Sequence, residues 1–193
     1  METKHFNSYK EELDLDFLKQ YCLEHGKVKT FEQGEALEKA GEAAQWIAYV
    51  ESGYFKYMVQ NLTGGVSKCT GFAFKGELVA DYPCCLYGGI SDVTIEASID
   101  CKVYIINASK LQNMYNEDEE KRNIGIRLMY NLFKMVYERY LDLYRHDAKE
   151  RYEKLLSRCP QIVQQLSIKD IASFLNITPT HLSRIRKEIT YSK

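Results

Sequence analysis

The stretch that decides how this chain is read runs Ser167-Ile168-Lys169-Asp170-Ile171-Ala172-Ser173-Phe174-Leu175-Asn176-Ile177-Thr178-Pro179-Thr180-His181-Leu182-Ser183-Arg184-Ile185-Arg186-Lys187-Glu188. Ser167 and Asp170 resemble a capping pair, a hydroxyl for orphan N–H groups and an acid in the positive first turn of a helix. Ile168, Ile171, Ala172 and Leu175 share one face of that helix. The small Ala172 lets a second helix cross closely. Asn176 tolerates the left-handed backbone a tight turn needs. Thr178 then caps a second helix, and Pro179 suits its first position, where no N–H is needed. Leu182, Ile185 and Ile189 point one way from this helix by their spacing. Thr180, Ser183, Arg184 and Lys187 point the other way. Short donors followed by long cations are what a recognition helix presents to a major groove.

Thr178, Thr180, His181, Ser183, Arg184, Arg186 and Lys187 are therefore the candidate DNA contacts. Arg184 can donate two parallel hydrogen bonds to guanine O6 and N7, while Arg186 and Lys187 reach phosphates. Charge points the same way. Residues 146–193 hold nine Lys/Arg against five Asp/Glu, about +4, whereas the whole chain carries a net charge of −1. A basic tail on an acidic body suits phosphate contacts made by the tail alone.

Upstream, residues 116–145 contain no proline and one glycine, Gly125, and their period is helical. Ile124, Leu128, Leu132 and Met135 form one stripe. Ile126, Met129, Phe133, Val136 and Tyr140 form another. A lone surface helix needs one apolar face. With two, one can cover the body of the chain, and a second copy of the helix is the simplest partner for the other. A short helix over Ala148–Arg158 and a break at Pro160 lead on to the paired helices.

The first hundred residues read differently. After a short helical pattern, Leu13, Phe17, Leu18 and Tyr21, come short apolar runs such as Trp46–Val50, Tyr54–Val59, Thr70–Phe74 and Val103–Ile106. Glycine turns punctuate them, with Gly64-Gly65 read as a hairpin. Many short strands at fairly regular spacing predict a sandwich or barrel. Rings abound in the predicted pocket strands: Tyr49, Phe55, Tyr57, Phe72, Phe74, Tyr82, Tyr87 and Tyr104. They predict either plain core or a small apolar or aromatic effector held by stacking. The six cysteines lack CxxC or zinc spacing and read as small apolar residues. At 45% apolar and 27% charged, with no apolar signal core at Met1–Phe6 and no run able to span a bilayer, the chain is expected to be cytoplasmic.

These pieces resemble the Crp–Fnr family of regulators. Lys29–Glu35 and Ala40-Gly41-Glu42 resemble its two early glycine turns, and Tyr49–Phe55 resembles a strand and turn of its barrel. Lys75-Gly76-Glu77-Leu78 resembles the start of its phosphate-binding cassette. Ser183-Arg184 matches the Ser/Gly-Arg pair of its recognition helix. The resemblance implies an α+β chain. A double-stranded β-helix (jelly-roll) sensor barrel of the cyclic-nucleotide-binding type would span residues 1–115, a dimerisation helix 116–145, and an all-α helix-turn-helix domain 146–193. The chain ends soon after the recognition helix, so the β-hairpin wing is expected to be short or absent. The implied function is sequence-specific binding of duplex DNA at an inverted-repeat operator by a homodimer. RNA polymerase is a further partner, and there is no membrane partner, catalysis or cofactor. The alternative is a non-catalytic ligand-binding or protein-interaction module that leaves DNA alone.

Gly76, Glu77, Tyr82, Ser91 and Asp92 are the effector residues this resemblance implies. Cyclic-nucleotide binders end the cassette with an arginine before Ser or Thr. Here the stretch reads Ile90-Ser91-Asp92-Val93, and the first arginine in the chain is Arg122. A cyclic phosphate needs a cationic fork or an anion-binding nest, and Asp92 repels it, so an effector other than cyclic AMP is expected. The family's iron–sulfur branch needs an N-terminal cysteine cluster, and only Cys22 lies there. A metal-dependent β-helix enzyme needs histidine ligands on barrel strands. His5, His25, His146 and His181 fall outside the predicted strands, and no metal site is expected.

Overall fold

The computed structural model describes residues 16–62 and 65–191, so Leu13, His5 and the Gly64 half of the expected hairpin lie outside the described residues. Helix α1 (Asp16–His25) leads into eight strands: β1 (Lys27–Phe31), β2 (Ala36–Glu38), β3 (Trp46–Ser52), β4 (Tyr54–Val59), β5 (Lys68–Phe74), β6 (Leu78–Val79), β7 (Thr94–Ala97) and β8 (Cys101–Asn107). They pair antiparallel in two four-stranded sheets, β1-β8-β3-β6 and β2-β7-β4-β5, the jelly-roll arrangement. Alternation in each strand sends Phe31, Val50, Phe55, Ala73, Ile95 and Val103 between the sheets. Phe31 and Phe55 meet there edge to face, 5.5 Å apart.

Both sheets also have an apolar outer face. Ile47 and Ile106 turn outward from the first sheet onto Leu18 and Cys22 of α1 and onto helices α2 (Tyr82–Tyr87), α3 (Ala108–Glu117) and α4 (Glu119–Arg145). Cys69 and Phe72 turn outward from the second sheet onto the C-terminal helices α5 (Ala148–Arg158), α6 (Ile162–Gln165), α7 (Ile168–Phe174) and α8 (Pro179–Tyr191). The sequence did not anticipate α2 or α6. Tyr82 and Tyr87, expected on pocket strands, lie on α2, where Pro83 sits in the first turn and Gly88 closes the helix in the left-handed conformation. Tyr87 points to solvent, and Phe72 packs outside the barrel.

The long helix starts later than its apolar pattern suggested. Asn116 belongs to α3, and Asp118 breaks the path with extended backbone before capping α4 by accepting from the Lys121 N–H at 3.1 Å. The 27 residues of α4 give a rod of roughly 40 Å. Leu128 and Met135 are buried, while Ile126, Tyr130, Phe133, Tyr137, Tyr140 and Tyr144 are all exposed. Their steps alternate four and three, the 3.5-residue period of a coiled-coil seam. Among the described residues, no helix is long and apolar enough to cross a membrane.

The β3–β4 corner turns on Gly53, whose φ is +81°. A Cβ there would lie 2.5 Å from Cys101 Sγ and 2.6 Å from the Asp100 carbonyl oxygen. Gly53→Ala is expected to cost about 1–3 kcal/mol, read as a lower urea midpoint. An unchanged midpoint would contradict the strain assigned to this corner.

Candidate nucleic-acid interface and sensor cassette

Helix α7 begins where Ser167 Oγ accepts from the Asp170 N–H at 3.1 Å, and the same hydroxyl lies 2.6 Å from Asp170 Oδ2. The turn after α7 passes through Asn176 at φ 55°, the one non-glycine residue with positive φ among those described. Thr178 Oγ1 accepts from the His181 N–H at 3.1 Å and so caps α8. Ile171, Ala172 and Leu175 bury against Leu182 and Ile185, which fixes the crossing of the two helices. The other side of α8 faces solvent. Thr178, Thr180, His181, Arg184 and Lys187 are exposed there, with Ser183 partly buried beside them. Arg186 is also partly buried, and its charge acts on Tyr152, whose phenol is pushed up mainly by burial. Six of the seven predicted contacts therefore share a solvent-facing surface or its margin, and Arg186 leans back toward α5.

The domain carrying α8 is packed onto the barrel. The backbone N–H of Cys69 on β5 donates to Ser173 Oγ on α7 at 2.8 Å. Phe72 stacks on Phe74 at 5.9 Å and lies 5.8 Å from Phe174. Arg139 of α4 sits over the Phe174 ring at 5.4 Å, a cation–π contact. Arg151 of α5 ties the junction together, donating from Nη1 to the His146 carbonyl at 2.7 Å and from Nη2 to the Leu175 carbonyl at 3.1 Å. At the same junction the His146 ring lies 3.5 Å from both Asp142 and Glu150, and Lys154 Nζ pairs with Asp142 at 2.8 Å. The sequence reading missed Ser173, Phe174 and Arg139 in this role. Their one visible signal was aromatic Phe174 beside the apolar face of α7, and its partner lies about a hundred residues away.

The five predicted effector residues fall in one region around the turn into α2 and its exit. Gly76, at φ +88°, makes the turn, and its N–H donates to the Val50 carbonyl at 2.9 Å. The buried Glu77 carboxylate accepts from the Phe74 N–H at 2.9 Å. Tyr82 is buried with its hydroxyl 3.2 Å from that of Tyr115. Ser91 is buried, and its hydroxyl lies 2.7 Å from Asp81 Oδ2 and 2.8 Å from the Val93 carbonyl oxygen. Asp92 is exposed. Four of the five are thus bonded within the protein, Gly76 through its backbone and Glu77, Tyr82 and Ser91 through their side chains.

All six cysteines are free thiols. Burial pushes Cys22, Cys69 and Cys85 up to about 12, so they stay protonated and unreactive near neutral pH. Among the described residues, no group of three or more His, Cys, Asp and Glu side chains could hold a metal ion.

This combination defines a class, a jelly-roll barrel joined by a long helix to a helix-turn-helix. Residues 28–118 match the family model of the cyclic nucleotide-binding domain. A comparison with curated proteins found no match. Among solved structures, FixK2 from Bradyrhizobium japonicum superposes with a TM-score of 0.76 at 18% identity, covering 86% of this chain and 85% of that one. A CooA variant from Carboxydothermus hydrogenoformans gives 0.71 at 13% identity, covering 97% and 88%. A transcriptional regulator of the Crp/Fnr family from Eubacterium rectale gives 0.68 at 15% identity, covering 90% and 82%. Residues 28–118 match a cyclic nucleotide-binding domain, and the chain's overall fold is that of the Crp/Fnr structures it superposes on.

Ser173→Ala removes the acceptor for a buried N–H. It is expected to lower stability by about 1–3 kcal/mol, seen as a lower urea midpoint at unchanged slope. A midpoint equal to that of the unaltered protein would show that the seam does not depend on this bond.

Proposed function

We propose that the protein is a non-enzymatic, cytoplasmic transcription regulator that binds a specific duplex DNA sequence as a homodimer. The observation that carries this reading is the free face of α8. Thr180, Arg184 and Lys187 lie along it with no protein cover, while the opposite face is locked into the core. On this reading, Arg184 forks onto a guanine edge and Lys187 meets phosphates, with Thr178, Thr180, His181 and Ser183 near the helix N-terminus. Arg186 reaches a phosphate only by swinging away from Tyr152.

The exposed aromatic stripe of α4 supports the dimer. Six large side chains at coiled-coil spacing form a patch that a lone soluble chain rarely leaves in water, and a second copy of the same helix matches it. Two α8 helices would then enter successive major grooves ~34 Å apart on an inverted repeat. RNA polymerase is the further partner through which such a regulator acts. Gly76, Glu77, Tyr82, Ser91 and Asp92 remain the residues through which an effector other than cyclic AMP would act, by shifting how α4 presents the DNA-binding domains.

Arg184→Ala is expected to relax base preference at one position, at a cost of ~1–3 kcal/mol. Lys187→Ala is expected to weaken all sequences evenly and to lower the slope of log affinity against log salt by about 1. Fluorescence anisotropy on matched and mismatched duplexes separates the two. Equal effects of both substitutions on all duplexes would overturn this division of roles.

A further inference from the structure

Tyr57 sits on β4 with Ile95 of β7 paired on one side and Gly71 of β5 on the other. Gly71 is buried, and a Cβ built on it would stand 3.4 Å from the Tyr57 ring, so glycine there gives the ring a bare floor. The ring crosses to the loop that leads into α2. Its hydroxyl donates to the Ala80 carbonyl at 3.2 Å and accepts from the Ala80 N–H at 3.3 Å. One residue thus offers both an acceptor and a donor to one phenol, as a receptor does to a bound ligand. The next residue, Asp81, is linked to Ser91 at the far end of the α2 excursion. Ser91 in turn exchanges backbone bonds with the β2–β3 connection, accepting from the Gly41 N–H at 2.8 Å and donating to the Glu42 carbonyl at 2.9 Å. The excursion is therefore fastened at its entrance by Tyr57 and across its mouth by Asp81 and Ser91.

Charge in this region is negative. Glu38, Glu77, Asp81 and Asp92 cluster around the excursion, and no arginine occurs before Arg122. Burial, reinforced by Glu77 and Asp81, pushes the Tyr57 phenol well above its usual range, so it stays a neutral donor. A phosphate would meet repulsion here, whereas a neutral hydroxyl-bearing ring does not.

We infer that the barrel holds a phenol-binding slot, floored by Gly71 and ended by the Ala80 N–H and carbonyl, which the chain fills with its own Tyr57. The loop into α2 is held by this internal side chain. A small neutral phenol is the class of ligand the slot accepts once that side chain is removed.

Tyr57→Ala leaves a vacancy the size of a phenol ring. Millimolar phenol is expected to raise the melting temperature of this variant saturably and more than benzene does. Neither phenol nor cyclic AMP is expected to shift the unaltered protein. A folded variant that phenol does not stabilise, or an unaltered protein that phenol stabilises equally, would overturn the inference. Tyr57→Phe covers the case in which the alanine variant does not fold. It keeps the ring and removes the hydroxyl, so exchange of the Ala80 amide proton is expected to quicken roughly tenfold. An unchanged Ala80 rate would refute the internal ligand.

Discussion

The outward turn of Phe72 on β5 constrains everything C-terminal to the barrel. Strand alternation puts Ala73 into the barrel core and Phe72 on its outside, where it would be a water-exposed ring without cover. Burying such a ring is worth roughly 2–3 kcal/mol, and helix α7 supplies the cover. Ser173 and Phe174 meet the strand, and Arg139 reaches over from α4. Barrel, long helix and helix-turn-helix therefore share one seam. The direction in which α8 faces is fixed by the packing of α7 on β5 and by Arg151 at the α4–α5 junction.

That seam gives a physical route between the barrel and the C-terminal helices. β5 contributes Phe72 to the seam and Gly71 to the floor under Tyr57, so adjacent residues of one strand face the two sites. A change in the barrel that moved β5 by a fraction of an ångström would be felt by α7 through a close-packed contact. The turn into α2 and its surroundings are acidic and internally bonded, and under the proposed function this chemistry disfavours a cyclic phosphate.

Local chemistry was the part of the fold most legible in the sequence. The Ser167 and Thr178 caps, the left-handed Asn176 and the span Ala148–Arg158 follow from side chains acting on their own backbone, within four residues. The two faces of α4 were legible for a similar reason, since helical periodicity is written in spacing alone. Helix α2 was hidden because Tyr82-Pro83-Cys84-Cys85-Leu86-Tyr87 is too short and too uniformly apolar to show a period. The fate of Phe72 was hidden because both faces of β5 are apolar, and nothing local says which face meets the barrel. Contacts such as Cys69 with Ser173 join residues 104 positions apart and carry no local mark. Helix α8 itself could be read because its cap and apolar spacing are local. The internal bonds of Glu77, Tyr82 and Ser91 could not be read, because their partners lie on other segments or across a turn.

The most direct measurement is a selection of binding sites from random duplex DNA, using the purified full chain with no added ligand. The account predicts recovery of an inverted repeat whose half-sites are centred about one helical turn apart, since the free face of α8 is already exposed. Recovery of no enriched sequence, with or without cell extract added, would contradict the claim that this chain reads DNA.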